Sequence, residues 1–213
     1  MPEFPWAQNP QKNRQYTMPL SSPPKPRHRV HTREIRYEGF KREDGMYEVE
    51  ARITDVKDAD FMLASGLRRG GDPVHDMSVR VAFNAEFVIT EVEACSDWVP
   101  YPGGCESIGP AYRRMVGLSL LQGFRNGLRE RLGGIEGCTH ISEMLGGLPT
   151  VAIQMRAGEV RDTDGTHGNQ PFQLDRCHAL ATNTATVRRY YPRWYRGGQE
   201  PAADTAGTRE PGD

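Results

Sequence analysis

Cys138 and His140 lie two residues apart in GCTHISE, residues 137–143, in a chain that holds four cysteines and six histidines. A thiolate and an imidazole at that spacing can share a metal ion, or the imidazole can take the thiol proton and leave a nucleophile. With Thr139 read as the N-cap of a short helix, the exposed amides and dipole of that helix favour the ionised sulfur. The plain alternative stays open for an isolated Cys-x-His: a small buried thiol beside a first-turn histidine bonded to backbone.

Three further segments offer partners. Cys177 and His178 are adjacent, so in extended chain they point to opposite faces and one of the two can enter a shared site. Cys105 follows Pro102-Gly103-Gly104 at a strand-to-helix turn, and His75 with Asp76 stands in the loop-like GGDPVHDM. Four such groups at about 2.0 to 2.3 Å would make a tetrahedral zinc site, or an iron site. No Cys-x-x-Cys is present, so the constellation depends on the fold bringing distant segments together. Cys95 lies in an alternating stretch and reads as a buried sheet cysteine, while His28, His31 and His167 read as solvated. Arg113, Arg114, Arg125, Arg129 and Arg131 fall on the solvent side of helices, where charge is ordinary; recognition of a carboxylate or phosphate is the alternative.

These residues need elements to hold them. In MYEVEARITDV, Tyr47, Val49, Ala51 and Ile53 alternate with Glu48, Glu50, Arg52 and Thr54, the pattern of a half-buried strand. REIRYEGFK is its expected hairpin partner across Arg42–Gly45, and MSVRVAF with EFVITEVEA gives a second hairpin. After Cys105 the period changes to about 3.6 residues: Phe124, Leu128 and Leu132 share one face, stopped by Gly133 and Gly134. A shorter helix with Pro110 in its first turn is expected before it, with others over Thr139 to Leu145, from Pro149 to Met155, and up to Pro192. Strands followed by helices predict an α+β domain, an antiparallel meander of about four strands with helices packed on one face.

The whole chain sets the bounds. Its 213 residues carry 27 Lys plus Arg against 28 Asp plus Glu, a formal net charge of -1, so nothing demands a polyanionic partner, and no nucleic acid is expected. No apolar run reaches the roughly 18 residues of a membrane span, and MPEFPWAQNPQK has no apolar core of a signal peptide. No membrane partner is expected, and the cytoplasm is the expected location, where the cysteines stay reduced. Residues 1–29, with seven prolines, read as an extended arm; 30–196 read as a single domain; and the Gly, Pro and charge of 197–213 read as a disordered tail. Glycine-rich phosphate loops and a Gly-x-Ser-x-Gly elbow are missing.

The series YEGFKREDGMYEVEARITDVKDADF, PVHDMSVR, GPAYRRMVGLSL, ERLGGIEGCTHISEML, FQLDRCHAL and YPRWY resembles a bacterial family catalogued as domain of unknown function 2889. The likeness spans about His31 to Tyr195, and its most specific stretches, HDM, GCTH and CHAL, fall on His75 and Asp76, Cys138 and His140, and Cys177 and His178. It implies no activity, but it implies that these places belong to one pattern. The order of elements is also similar to iron-sulfur cluster scaffold proteins of the IscU and NifU kind, a likeness of layout alone.

The first expectation is therefore a small metal-dependent cytoplasmic enzyme. Cys105, Cys138, His140 and one of Cys177 or His178 would surround zinc or iron, with His75 or Asp76 as ligand or general base. The metal would polarise a carbonyl or acidify bound water for a lyase or hydrolase acting on a small organic acid or aromatic catabolite. The second is a non-catalytic metal or iron-sulfur carrier, and the third a metal-free cysteine enzyme with Cys138 activated by His140 or His178.

Overall fold

The computed structural model describes residues 21–157, 165 and 168–197. Residues 1–20 of the expected arm, 198–213 of the expected tail, and His167 lie outside that range. In chain order the strands are β1 (His31–Lys41), β2 (Tyr47–Lys57), β3 (Phe61–Leu63), β4 (Gly66–Arg68), β5 (Pro73–Phe83) and β6 (Ile89–Trp98). The four long ones form one antiparallel sheet in the order β1-β2-β5-β6, and β3 with β4 makes a separate two-stranded hairpin inserted between β2 and β5. The expected meander is there, with this insertion as the addition.

Alternation builds the sheet. Tyr47, Val49, Ala51 and Ile53 of β2 and Met77, Val79, Val81 and Phe83 of β5 are buried on one side, and Arg52 and Arg80 face the other. The β1–β2 turn places Gly45 at φ 84°, a left-handed conformation that glycine adopts without a Cβ clash. Each aliphatic side chain fully removed from water contributes about 1.5–3 kcal/mol.

Helices cover the apolar side. They are α1 (Phe124–Leu132), α2 (Thr139–Leu145), α3 (Leu148–Arg156) and α4 (Ala185–Tyr190), preceded by an eleven-residue 3-10 helix over Cys105–Met115. Phe124, Leu128 and Leu132 of α1 are buried, as are Ile141, Met144 and Leu145 of α2, and they join the sheet residues in one core. The Tyr37 hydroxyl donates to the Met144 carbonyl at 2.6 Å, tying β1 to the end of α2. Gly147 lies so close to that hydroxyl that a Cβ would collide with it.

Four local expectations are corrected. β5 begins at Pro73, so His75 and Asp76 lie within the strand and not in a loop before it. Pro110 sits in the middle of the 3-10 helix and not in its first turn. Cys138, not Thr139, occupies the N-cap of α2, and it does so without a side-chain cap bond. Cys95 is exposed on the open side of the sheet, because Val92 and Ala94 take the inward parity of β6 and leave position 95 outward.

Candidate functional site

The inward row of the sheet changes character at one end. Ile35, Ile53 and Met77 pair across β1, β2 and β5 as an apolar row. One step further along the same face the row is Arg33, Asp55 and His75, with Arg33 opposite Asp55 and Asp55 opposite His75. Two residues further still, inward parity falls on His31 of β1. A register shift between Asp55 and Val56 in the pairing with β5 bends the sheet where this polar row begins.

Asp55 is the centre of the row and is 2% exposed. Its Oδ1 accepts from His31 Nε2 and Arg33 Nε, both at 2.8 Å; its Oδ2 accepts from Arg33 Nη2 at 2.8 Å and His75 Nδ1 at 3.0 Å. An ionised carboxylate only accepts, so both ring nitrogens that face it carry protons. That tautomer leaves the Nε2 lone pair of His75 free of the carboxylate. Burial pushes the Asp55 carboxyl up, but the hydrogen bonds from Arg33 and His31 and the charge of Arg33 outweigh it and hold the group at about 2.

Helix α2 closes the row from above. The rings of His75 and His140 lie with centroids 3.7 Å apart and planes at 31°. Glu143, three residues on, reaches Arg33 Nη1 at 2.6 Å, so both residues use the same side of the helix. Burial lowers the pKa of His75, and the neighbouring His140 lowers it further against the pull of Asp55. Burial and then Arg33 lower that of His140. Both rings are thereby kept in the neutral form that accepts a proton or a metal ion.

Cys138 stands beside this pair. Its Sγ is 3.9 Å from His140 Nδ1 and 4.0 Å from Met77 Sδ. The buried Tyr112 hydroxyl fixes the segment: it accepts the Cys138 N–H at 2.8 Å and lies 3.0 Å from the Cys138 carbonyl and 3.2 Å from Ser142 Oγ.

Among the described residues, one group of three or more potential metal-ligating side chains has its ligating atoms within 4.8 Å of one another: Asp55, His75 and His140. Of the candidates chosen by sequence, His75 and His140 are therefore brought together, and Cys138 adjoins them. Asp76 is not: the residue after His75 points to the opposite side of the sheet, where Arg52 grips it through Nε at 2.7 Å and Nη2 at 2.6 Å. Cys105 packs half-buried at the edge of the core, and Cys177 and His178 are exposed in the segment leading to α4; none of these joins the group. Cys105 opens the 3-10 helix, which packs along the edge strand β6, two strands away from Asp55 on β2, and Cys177 and His178 follow α3 in the chain, outside the sheet.

Asp55, Arg33 and His31 escape sequence reading, the last having been read as solvated. The signal was present in the alternation: the residue that follows Tyr47, Val49, Ala51 and Ile53 on the inward parity is Asp55, an acid where the pattern calls for an aliphatic.

The family model described as "Protein of unknown function (DUF2889)" matches residues 31–154, more than half of the chain. Asp55, His75, Cys138 and His140 lie within the match; Cys177 and His178 lie outside it. No curated protein and no solved structure matches the chain.

Proposed function

The chain belongs to the DUF2889 family, and from that premise we propose that it is a metal-dependent enzyme of the lyase or hydrolase type, with its metal at Asp55, His75 and His140. The observation that carries the reading is the mutual approach of those three ligating groups to within 4.8 Å, two of them imidazoles kept neutral by burial. Two histidines and one carboxylate suit zinc or ferrous iron and leave coordination positions open for water and substrate. Such an ion would polarise a carbonyl or lower the pKa of bound water to about 7. Arg33 and Glu143 would steady the carboxylate and the helix that carry the ligands. The cysteines form no such cluster among the described residues, which favours a mononuclear ion over an iron-sulfur carrier. Free thiols suit a reducing, cytoplasmic setting, and no helix among the described residues is long and apolar enough to cross a membrane.

A second reading is favoured by one specific observation. Four N–H groups already fill the oxygens of Asp55, so coordination by Asp55 would require one of them to swing away. Without metal, Asp55 and His75 form a carboxylate–imidazole pair with His75 Nε2 as general base. Purification without chelator followed by elemental analysis separates the two. About one zinc or iron per chain, lost on His75→Ala, supports the metal enzyme; a chain that neither retains nor takes up zinc, iron or cobalt leaves the acid–base reading.

A further inference from the structure

Between α1 and α2 runs a groove of about 450 Å³, within the size range of small-molecule sites. The buried leucines Leu128 and Leu132 give it an apolar lining, Cys138 and Ser142 line it from the α2 side, and Arg125 and Arg129 line it from α1. The two arginines are four residues apart on α1 and so project to the same side. Two neighbouring guanidinium groups of the helical layer hold an oxygen: Arg114 pairs with Glu136 at 2.8 Å, and Arg131 donates to the carbonyls of Arg114 and Val116. Arg125 has no hydrogen-bond or ion-pair partner among the described residues, and Arg129 reaches only Asn126 Oδ1 at 3.5 Å. Glu143, the acid on the groove's edge, is already neutralised by Arg33. The uncompensated charge of the groove is therefore positive, and its lining is apolar.

We infer that this groove binds a small monocarboxylate with a compact apolar or aromatic body. Leu128 and Leu132 take the body, and the guanidinium groups of Arg125 and Arg129 take the carboxylate in the planar two-bond geometry that arginine forms with carboxylates. A fully hydrated dianion such as phosphate gains nothing from the leucines. The groove adjoins the polar row at Cys138, whose Sγ is 3.9 Å from His140 Nδ1, and at Glu143, which holds Arg33. The inference deepens the enzyme reading by naming a substrate class, but it does not need the metal.

The test uses the full chain after chelator treatment, so that failure here and absence of a metal are separate results. Calorimetric titration with benzoate, phenylacetate and hexanoate is compared with benzamide and with inorganic phosphate. At least one of the three acids should bind roughly tenfold or more tighter than both controls, and the Arg125→Gln, Arg129→Gln double variant should lose roughly tenfold or more of that affinity. Unchanged melting temperature establishes that the double variant is folded. The binding acid should also slow alkylation of Cys138 by iodoacetamide in the unaltered protein, while Cys95 and Cys177, both exposed and outside the groove, react at unchanged rates. Binding by none of the acids, equal binding of benzamide or phosphate, full affinity in the folded double variant, or no protection of Cys138 would each overturn the inference.

Discussion

His75 and His140 meet ring to ring, with centroids 3.7 Å apart, although one comes from a strand and the other from a helix. Two imidazolium ions cannot sit at that separation in a buried place without strong repulsion, so the pair carries at most one positive charge comfortably. Asp55 fixes the orientation of His75 from below, and Glu143 fixes the turn of α2 that carries His140.

The ligand assignment predicts a division among variants. His75→Ala, His140→Ala and Asp55→Ala should each abolish measurable zinc retention, since each removes one of the three ligands. Cys105→Ala, Cys177→Ala and His178→Ala should retain zinc as the unaltered protein does. Competition against a chromogenic chelator reads all six, and loss of zinc in Cys177→Ala would move the site elsewhere.

The histidine pair predicts a pH dependence of stability for the metal-free protein. Burial places the folded pKa values of His75 and His140 below the ordinary 6.5, so the unfolded chain binds protons more tightly. Their stabilising contribution is complete above about pH 6.5 and declines as pH falls toward the folded values. The melting temperature should drop between about pH 7 and pH 5, and the drop should be shallower in His140→Gln.

Asp55 governs a lower window. Its carboxyl is held at about 2 against an ordinary 3.8, so its contribution is present above about pH 4 and lost as pH falls toward 2. The amount at stake is about 2 kcal/mol. Arg33→Met should cost about 3–5 kcal/mol at neutral pH, because it strips a buried carboxylate of its fork of donors. Urea denaturation at a series of pH values measures both effects.

Asp76 is expected to matter for the sheet and not for the site. Asp76→Asn should lower stability by about 1–2 kcal/mol through its weakened grip on Arg52, with zinc retention unchanged. A variant that is stable but metal-free would place Asp76 in the site after all.

Tyr112→Phe removes the hydroxyl that takes the Cys138 N–H in a buried position. The cost should be about 1–3 kcal/mol, the penalty of an unsatisfied buried group. The amide of Cys138 should exchange with deuterium faster than in the unaltered protein, and an unchanged rate would show that the Tyr112 hydroxyl does not protect it.

Much of the scaffold was legible in the chain because it is written in short-range patterns. Alternation of Tyr47, Val49, Ala51 and Ile53, the 3.6-residue spacing of Phe124, Leu128 and Leu132, and the glycines after α1 and α2 determined the strands, the helices and their α+β order. Asp55 was passed over for the same reason that the rest was readable: an acid in an inward register breaks the apolar pattern, and so looks like the end of a strand. His75 is a candidate by its type but reads as loop, because the aliphatic alternation of its strand starts only at Met77.

The sequence by itself determined which residues could do chemistry, singling out His75, Cys138 and His140, and what elements would carry them. Only the tertiary structure decided who meets whom. Strand register put Arg33, Asp55 and His75 in one row, and the packing of α2 laid His140 on that row, while the same geometry turned Asp76 to the opposite face and left Cys105, Cys177 and His178 outside the cluster. Periodicity reports which way a side chain points from its own element; a shared site depends on distances between elements, which are set by the packing of the whole core.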